Sequence, residues 1–221
     1  MTGGGEGIFR AGVLGYTRSE GLNSPGLRWS ILDEQQRDLG SAQLQGRGAA
    51  AKATSYLFGV GGGSGSQLAL FDDTGAVALG LSAAADGRVT TVRVARGDGL
   101  HLGGVVHRRP GIWRAVADTF NHAPATPLQL VAAADGSALG AVHQADNTVA
   151  EMVVRDAADR DLARLERSQR RSLHGPRPIV HHDYRLEIAP SAERPLRDLL
   201  VALPLVHDLL LGPDRSASVF P

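Results

Sequence analysis

The sequence predicts a mainly β protein: a closed antiparallel barrel of about twelve strands, built from hairpins around a buried hydrophobic C-terminal α-helix. Three observations lead to this prediction. Five segments repeat the pattern of a β-hairpin, 28 of the 221 residues are glycine while only 5% are aromatic, and a leucine-rich segment lies near the end of the chain. Glycine-rich turns between short apolar runs are typical of strands joined by tight turns.

The five repeated segments share one order of residues: an apolar strand, a turn rich in Asp and Gly, and then Leu followed by Gly or Ala. In the first of them Trp29 and Ile31 alternate with Arg28 and Ser30, which predicts one buried and one solvated face. The segments are LRWSILDEQQRDLGSAQ, QLALFDDTGAVALGLSA, TVRVARGDGLHLGGVVH, PLQLVAAADGSALGAVH and VAEMVVRDAADRDLARLER, with anchor leucines Leu39, Leu79, Leu102, Leu139 and Leu162.

Two of the turns, DEQQRD (33–38) and DAADRD (156–161), place their Asp and Arg residues alike. Such carboxylates can bind calcium, but they more often cap the amide groups of their own turn. We therefore assign both segments to turns and predict no metal site in them.

The segment ERPLRDLLVALPLVHDLLLGP has the composition of a helix, with stop signals at Gly212 and Pro213. Its leucines and valines cover every side of the helix, and its polar residues lie near the two ends. A helix that is apolar all round must be buried all round. From Leu196 onward its polar residues are Arg197, Asp198, His207 and Asp208.

Ten hairpin strands, the alternating segment YRLEI (Tyr184–Ile188) and the segment Trp113–Phe120 give about twelve strands. Closing so large a sheet removes its edges, and a barrel of that size is wider than its own side chains can fill. The apolar helix is therefore predicted to fill it. The predicted division is a flexible leader over residues 1–25, one barrel domain over 26–213 and a short tail over 214–221.

Composition excludes several classes of function. The formal net charge is zero, which argues against nucleic acid as a partner. There is no cysteine, hence no disulfide or thiolate chemistry, and the first residues lack the pattern of a secretion signal. The longest apolar run is far shorter than the ~20 residues of a spanning helix, so a cytoplasmic location is expected.

No motif of a catalytic or cofactor site emerges. The glycine tract Gly59–Ser66 lacks the Lys and Ser/Thr of a phosphate-binding loop and precedes a strand, so it is assigned to a connector. In His181-His182-Asp183 neighbouring side chains point to opposite faces, and His101 and His107 lie about 20 Å apart along a strand. No G-x-S-x-G elbow is present. We predict no catalytic residue, metal or cofactor.

A hairpin barrel around a hydrophobic C-terminal helix resembles the tubby C-terminal-like superfamily. The turns in LFDDTGAVALG and AADGSALG, and the closing PLRDLLVALPLVHDLL with Asp208, look most like its LURP-one-related and phospholipid scramblase-like branch. The resemblance covers about residues 27–211. It implies binding of phosphoinositide headgroups through basic residues, as in tubby members, or an association with phospholipid movement and calcium, as in scramblases. The acidic calcium segment and the cysteine-rich stretch of scramblases have no counterpart here.

The basic stretch RLERSQRRSLHGPRP is the predicted ligand site, because guanidinium groups suit headgroup phosphates. We place it in a loop that binds an anionic phospholipid or another phosphorylated ligand, reversibly at a membrane surface. The alternatives are an ordinary solvated loop and a structural or regulatory domain that docks a protein partner without a lipid role; an enzyme ranks third. The predicted site residues are Arg164, Arg167, Arg170, Arg171 and Arg177, and Arg108 and Arg109 extend the patch if the barrel brings them close.

Overall fold

The structure is a computed structural model that describes residues 7–19, 28–45, 67–108, 128–132, 135–144, 151–172 and 179–211. In these residues twelve antiparallel strands form one closed barrel, which confirms the predicted fold class. The elements are α1 (Gly7–Arg10), β1 (Val13–Ser19), β2 (Arg28–Asp33), β3 (Asp38–Gln45), β4 (Gln67–Asp72), β5 (Val77–Asp86), β6 (Val89–Arg96), β7 (His101–Arg108), β8 (Leu128–Ala132), β9 (Ala138–Gln144), β10 (Glu151–Arg155), β11 (Asp161–Ser172), β12 (Ile179–Ile188) and α2 (Leu196–Leu211).

The strands follow one another around the barrel in sequence order, and β1 pairs with β12 to close it. The five predicted hairpins are confirmed as β2–β3, β4–β5, β6–β7, β8–β9 and β10–β11. The prediction of a leader over residues 1–25 is wrong for residues 7–19, because these residues form α1 and the closing strand β1. The predicted strand Trp113–Phe120, the connector Gly59–Ser66 and the tail 214–221 lie outside the described residues.

A β-bulge at the same place in all five hairpins explains the repeated pattern. In four hairpins the extra residue is the anchor leucine, and the next residue is Gly or Ala. In the second hairpin it is Ala78, so the predicted anchor Leu79 is displaced by one residue. At Gly40 (φ 147°) and Gly103 (φ 149°) a Cβ atom would lie 2.1 and 2.2 Å from a carbonyl oxygen of the neighbouring strand, which excludes a larger residue.

The helix α2 lies inside the barrel, as predicted. Every residue from Asp198 to His207 is buried, and ten consecutive residues cover all sides of a helix. The helix packs against β5 to β8 and β12, while the Tyr16 hydroxyl on β1 donates a hydrogen bond to the Val201 carbonyl over 2.7 Å. Burial of each leucine contributes about 1.5 to 3 kcal/mol, so α2 is a principal stabiliser of the fold.

The two ends of the barrel differ in construction. We call the end that holds the five hairpin turns, α1 and the start of α2 the turn end, and the end that holds the last turn of α2 the tip end. At the turn end Asp33 and Asp156 accept hydrogen bonds from the Arg37 and Arg160 amides, which confirms the predicted capping. Arg197 joins α2 to the first residues of the chain by donating to the carbonyls of Phe9 (2.5 Å) and Ala11 (2.8 Å) there.

Candidate anion-binding site

Four of the five predicted site residues lie on a strand rather than in a loop. β11 runs without interruption from Asp161 to Ser172, and it carries Arg164, Arg167 and Arg170. Side chains of a strand alternate between the two faces, and Ala163 and Leu165 are buried inside the barrel. Arg167 therefore points inward, whereas Arg164 and Arg170 point outward.

Of the remaining predicted arginines, only Arg108 has a described side chain. The backbone of Arg171 pairs with Val180 in the β11–β12 ladder, but its side chain, like all of Arg177 and Arg109, lies outside the described residues. Arg108 ends β7 and is exposed.

The outward arginines are neutralised by nearby carboxylates. Arg164 forms ion pairs with Glu151 (2.5 Å) and Glu166 (3.6 Å), and its pKa is raised, chiefly by the hydrogen bond to Glu151. Arg170 pairs with Asp183 across the strands (3.1 Å) and donates to the Arg18 carbonyl (2.9 Å). The outer face of β11 is thus a mixed-charge surface.

The inward side of the tip end holds a polar group around the last turn of α2. Asp208 accepts hydrogen bonds from the Trp29 indole nitrogen (3.1 Å) and from the Tyr184 hydroxyl, which in turn lies 3.1 Å from Nδ1 of His207. Trp29, Tyr184 and His207 are at most 4% exposed. Around them lie the charged or polar side chains of Arg18, Arg167 and His182. We call all seven residues the tip cluster.

The hydrogen-bond pattern fixes the proton positions at the centre of the cluster. Tyr184 has one proton and donates it to Asp208, so His207 donates its Nδ1 proton to the phenol oxygen. Burial, with added effects of Arg167 and His182, lowers the pKa of His207 to about 3, which keeps its ring neutral at physiological pH. Burial and the adjacent Asp208 carboxylate raise the pKa of Tyr184 above its usual range.

Asp208 stands in an unfavourable position. Burial raises the pKa of its carboxyl group, although the hydrogen bonds from Tyr184 and Trp29 and the charges of Arg18 and Arg167 oppose this effect. It also lies in the last turn of α2, where the helix dipole disfavours a negative charge. The tip cluster thus sets two guanidinium groups against one carboxylate.

His182 and Asp183 lie on opposite faces of β12, as the strand alternation predicts. His182 is 5% exposed and has the same orientation as Tyr184, whereas Asp183 faces outward to Arg170. Among the described residues, no group of three potential metal ligands is found.

Comparison with known proteins adds little to this picture. No protein-family model matches the sequence, and no curated protein matches it. Among solved structures, the X-ray structure of a protein from Arabidopsis thaliana matches 90% of this chain and 94% of that chain, with a TM-score of 0.47 and 12% identity. In the described part of the chain, no helix combines the length and the apolar character that a membrane crossing requires.

Sequence reasoning missed most of the tip cluster. The alternation signal was present, because Arg167 lies two residues after Leu165 and Arg18 two residues after Tyr16, each in phase with buried positions. Arg18 was assigned to a leader and Arg167 to a loop, so neither was given a face of a strand.

Proposed function

We propose that this chain is a non-catalytic barrel of the tubby C-terminal-like kind, within the LURP-one-related and scramblase-like branch, and that it binds an anionic phospholipid or another phosphorylated ligand at its tip end. One observation carries the proposal: Arg18 on β1 and Arg167 and Arg170 on β11 flank β12 at the same end of the barrel. Arg18 and Arg167 both point inward from the strands on either side of β12, and together they can bind one phosphate because each guanidinium group offers a planar fork of donors. Arg171 and Arg177 follow in sequence and stay predictions.

The balance of charge favours the tip end over the outer wall. On the wall Arg164 pairs with Glu151, and Arg185 pairs with Glu187. Inside the tip end, by contrast, Arg18 and Arg167 face only Asp208 among the acidic partners described above. An anionic headgroup gains most where positive charge is in excess.

Sedimentation with vesicles tests the proposal. Phosphatidylcholine vesicles with phosphatidic acid are expected to bind the protein at low salt, and vesicles without it are not. Because each basic residue contributes about 1 kcal/mol at such a surface, changing Arg18, Arg167 and Arg170 to Ala is expected to weaken binding about hundredfold.

The matched control changes Arg93, Arg160 and Arg185 to Ala, which removes the same charge from exposed positions elsewhere. It is expected to retain binding within about threefold, since those residues lie away from the tip end. Absence of binding at low salt, or equal losses in the two triple variants, contradicts the lipid proposal.

A second candidate function is a protein-interaction domain without a lipid role. The alternating, paired charges on the outer wall of β10 to β12 favour it, because a protein partner presents both signs of charge whereas an acidic membrane presents one. Intact folding with no vesicle binding in the experiment above supports this candidate.

A further inference from the structure

The tip cluster contains four side chains that donate hydrogen bonds or positive charge toward one carboxylate. The Trp29 indole and the Tyr184 hydroxyl donate to Asp208, and Arg18 and Arg167 act on it electrostatically. They come from four different strands, β2, β12, β1 and β11. An acidic side chain at the tip of the central helix thus stands where an anion from outside would find a complete set of donors.

We propose that the inside of the tip end is a binding site for one phosphomonoester group, and that Asp208 is a built-in competitor which holds its donors until the ligand arrives. This inference rests on the proposed function. It adds where the ligand binds and which residue regulates binding. The ligand places its phosphate between Arg18 and Arg167, and Trp29 and Tyr184 then donate to phosphate oxygens. No bond is made or broken in the step.

The position of Asp208 supports the role of a competitor. A carboxylate in the last turn of a helix is disfavoured by the helix dipole, so the helix itself does not stabilise it. Its stabilisation comes from the donors of the strands. Those same donors stabilise a phosphate dianion more strongly, because it carries more charge and more acceptor oxygens.

Exposure within the cluster supports an approach from solvent. Trp29 and Tyr184 are buried and form the floor, whereas Asp208, Arg18 and Arg167 are only partly buried. Gln169, which has the same orientation as Arg167 on β11, is exposed. The charged groups therefore lie between the solvent and the neutral donors. An anion that enters from solvent meets the guanidinium groups first and the Trp29 and Tyr184 donors after them.

The affinity of this site for phosphate is expected to depend on pH. Asp208 is faced by Trp29 on β2, Tyr184 on β12, Arg18 on β1 and Arg167 on β11. It follows His207 on its own helix, and His182 on β12 acts on His207. A bound anion repels the ionised carboxylate, so protonation of Asp208 and binding of phosphate favour each other. Because burial raises the pKa of Asp208, the affinity, once corrected for the ionisation of the phosphate itself (second pKa about 6), is expected to rise as pH falls toward the pKa of Asp208.

The test measures phosphate affinity in Asp208→Asn. Calorimetric titration with inorganic phosphate and sedimentation with phosphatidic acid vesicles separate a free phosphate from a lipid headgroup as the preferred source. Asp208→Asn removes the competing carboxylate charge and keeps the shape of the side chain. It is expected to bind the preferred probe at least about tenfold more tightly, with a pH dependence that reflects only the ionisation of the phosphate. Thermal melting confirms that each variant is folded.

Two matched variants locate the site. Asp161→Asn removes the same charge at the turn end, where Asp161 pairs with Arg155, and it is expected to change affinity less than about twofold. Asp183→Asn removes the carboxylate that faces Arg170 on the outer wall. If it tightens binding as much as Asp208→Asn does, the inner location is wrong.

The remaining outcomes separate the two proposals. If the wild-type protein binds either probe and Asp208→Asn binds no more tightly, Asp208 is not a competitor, while the proposed function stands. If neither the wild-type protein nor Asp208→Asn binds either probe, both proposals fail.

Discussion

The two ends of the central helix show opposite electrostatic designs. At the turn end Asp198 lies in the first turn of α2, where the helix dipole favours a carboxylate, and it pairs with Arg194 (3.3 Å). At the tip end Asp208 lies in the last turn, where the dipole opposes it. One end of the helix follows the rule that stabilises helices, and the other end breaks it.

The difference between the ends indicates which one serves stability and which one serves binding. At the turn end Arg197 donates to the neutral carbonyls of Phe9 and Ala11, and the capped turns satisfy their own amides. Charges and donors there therefore have fixed partners. At the tip end a neutral histidine, two guanidinium groups and a disfavoured carboxylate lie together. Proteins retain such unfavourable arrangements mainly at functional sites.

The largest expected effect on stability comes from the middle of α2, which joins the two ends. Leu203→Asp places a charge in the filled interior midway along α2, where Leu203 is 1% exposed, and it is expected to unfold the whole domain. Circular dichroism and thermal melting measure the loss. Leu100→Asp is the matched control, since Leu100 is 57% exposed and should tolerate the change. A folded Leu203→Asp protein would contradict the buried position of α2.

The pH dependence of stability isolates His207 at the tip end. Its folded pKa of about 3 lies below the unfolded value near 6.5, so the unfolded state takes up a proton first. The neutral ring of His207 therefore makes its full contribution to the free energy of unfolding above pH 6.5. Between pH 6.5 and about 3 that free energy falls by about 1.4 kcal/mol per pH unit. Urea unfolding at several pH values should show this slope in the wild-type protein and a flatter one in His207→Gln.

His143→Gln, a change at an exposed residue of β9, serves as the control and is expected to keep the wild-type slope. Equal slopes in the wild-type protein and His207→Gln would show that the ring is not held neutral by the tip cluster. Asp208 acts in the opposite direction, because a carboxyl group with a raised pKa gains stability as the pH falls.

At the turn end Arg197→Ala removes the donors to Phe9 and Ala11 and leaves those carbonyls unsatisfied. A loss of about 2 kcal/mol in the free energy of unfolding is expected. Arg185→Ala, at a half-exposed arginine on the outer wall, is expected to lose less than about 1 kcal/mol. Equal losses would mean that Arg197 does not anchor the start of the chain.

The smallest expected effect compares the two carboxylates of α2 directly. Asp198→Asn weakens a favourable dipole interaction and an ion pair, with an expected loss of about 1 kcal/mol. Asp208→Asn removes a disfavoured charge and is expected to change the free energy of unfolding by less than about 0.5 kcal/mol. Denaturant unfolding of both variants decides the point. An equal or larger loss in Asp208→Asn would assign Asp208 to stability alone.

The hairpin pattern made the barrel predictable from the sequence, because each turn is local and its Asp and Gly residues signal it directly. The apolar surface of α2 predicted its burial in the same way. The closing strand β1 was missed, since its partner β12 lies at the far end of the chain. The tip cluster was missed for a related reason: Arg18, Trp29, Arg167 and Tyr184 come together only after the barrel closes, and no short motif joins them.

The most direct test of the central claim follows the indole N–H signal of Trp29 by nuclear magnetic resonance. In a Trp113→Phe protein, Trp29 is the only remaining tryptophan of the two in the sequence, so its signal is unambiguous. If an anion enters the tip end and takes the donors of Asp208, added inorganic phosphate shifts this signal in a saturable way, and Asp208→Asn reaches saturation at lower phosphate concentrations. A signal that stays unchanged while calorimetry records phosphate binding would show that the anion binds elsewhere.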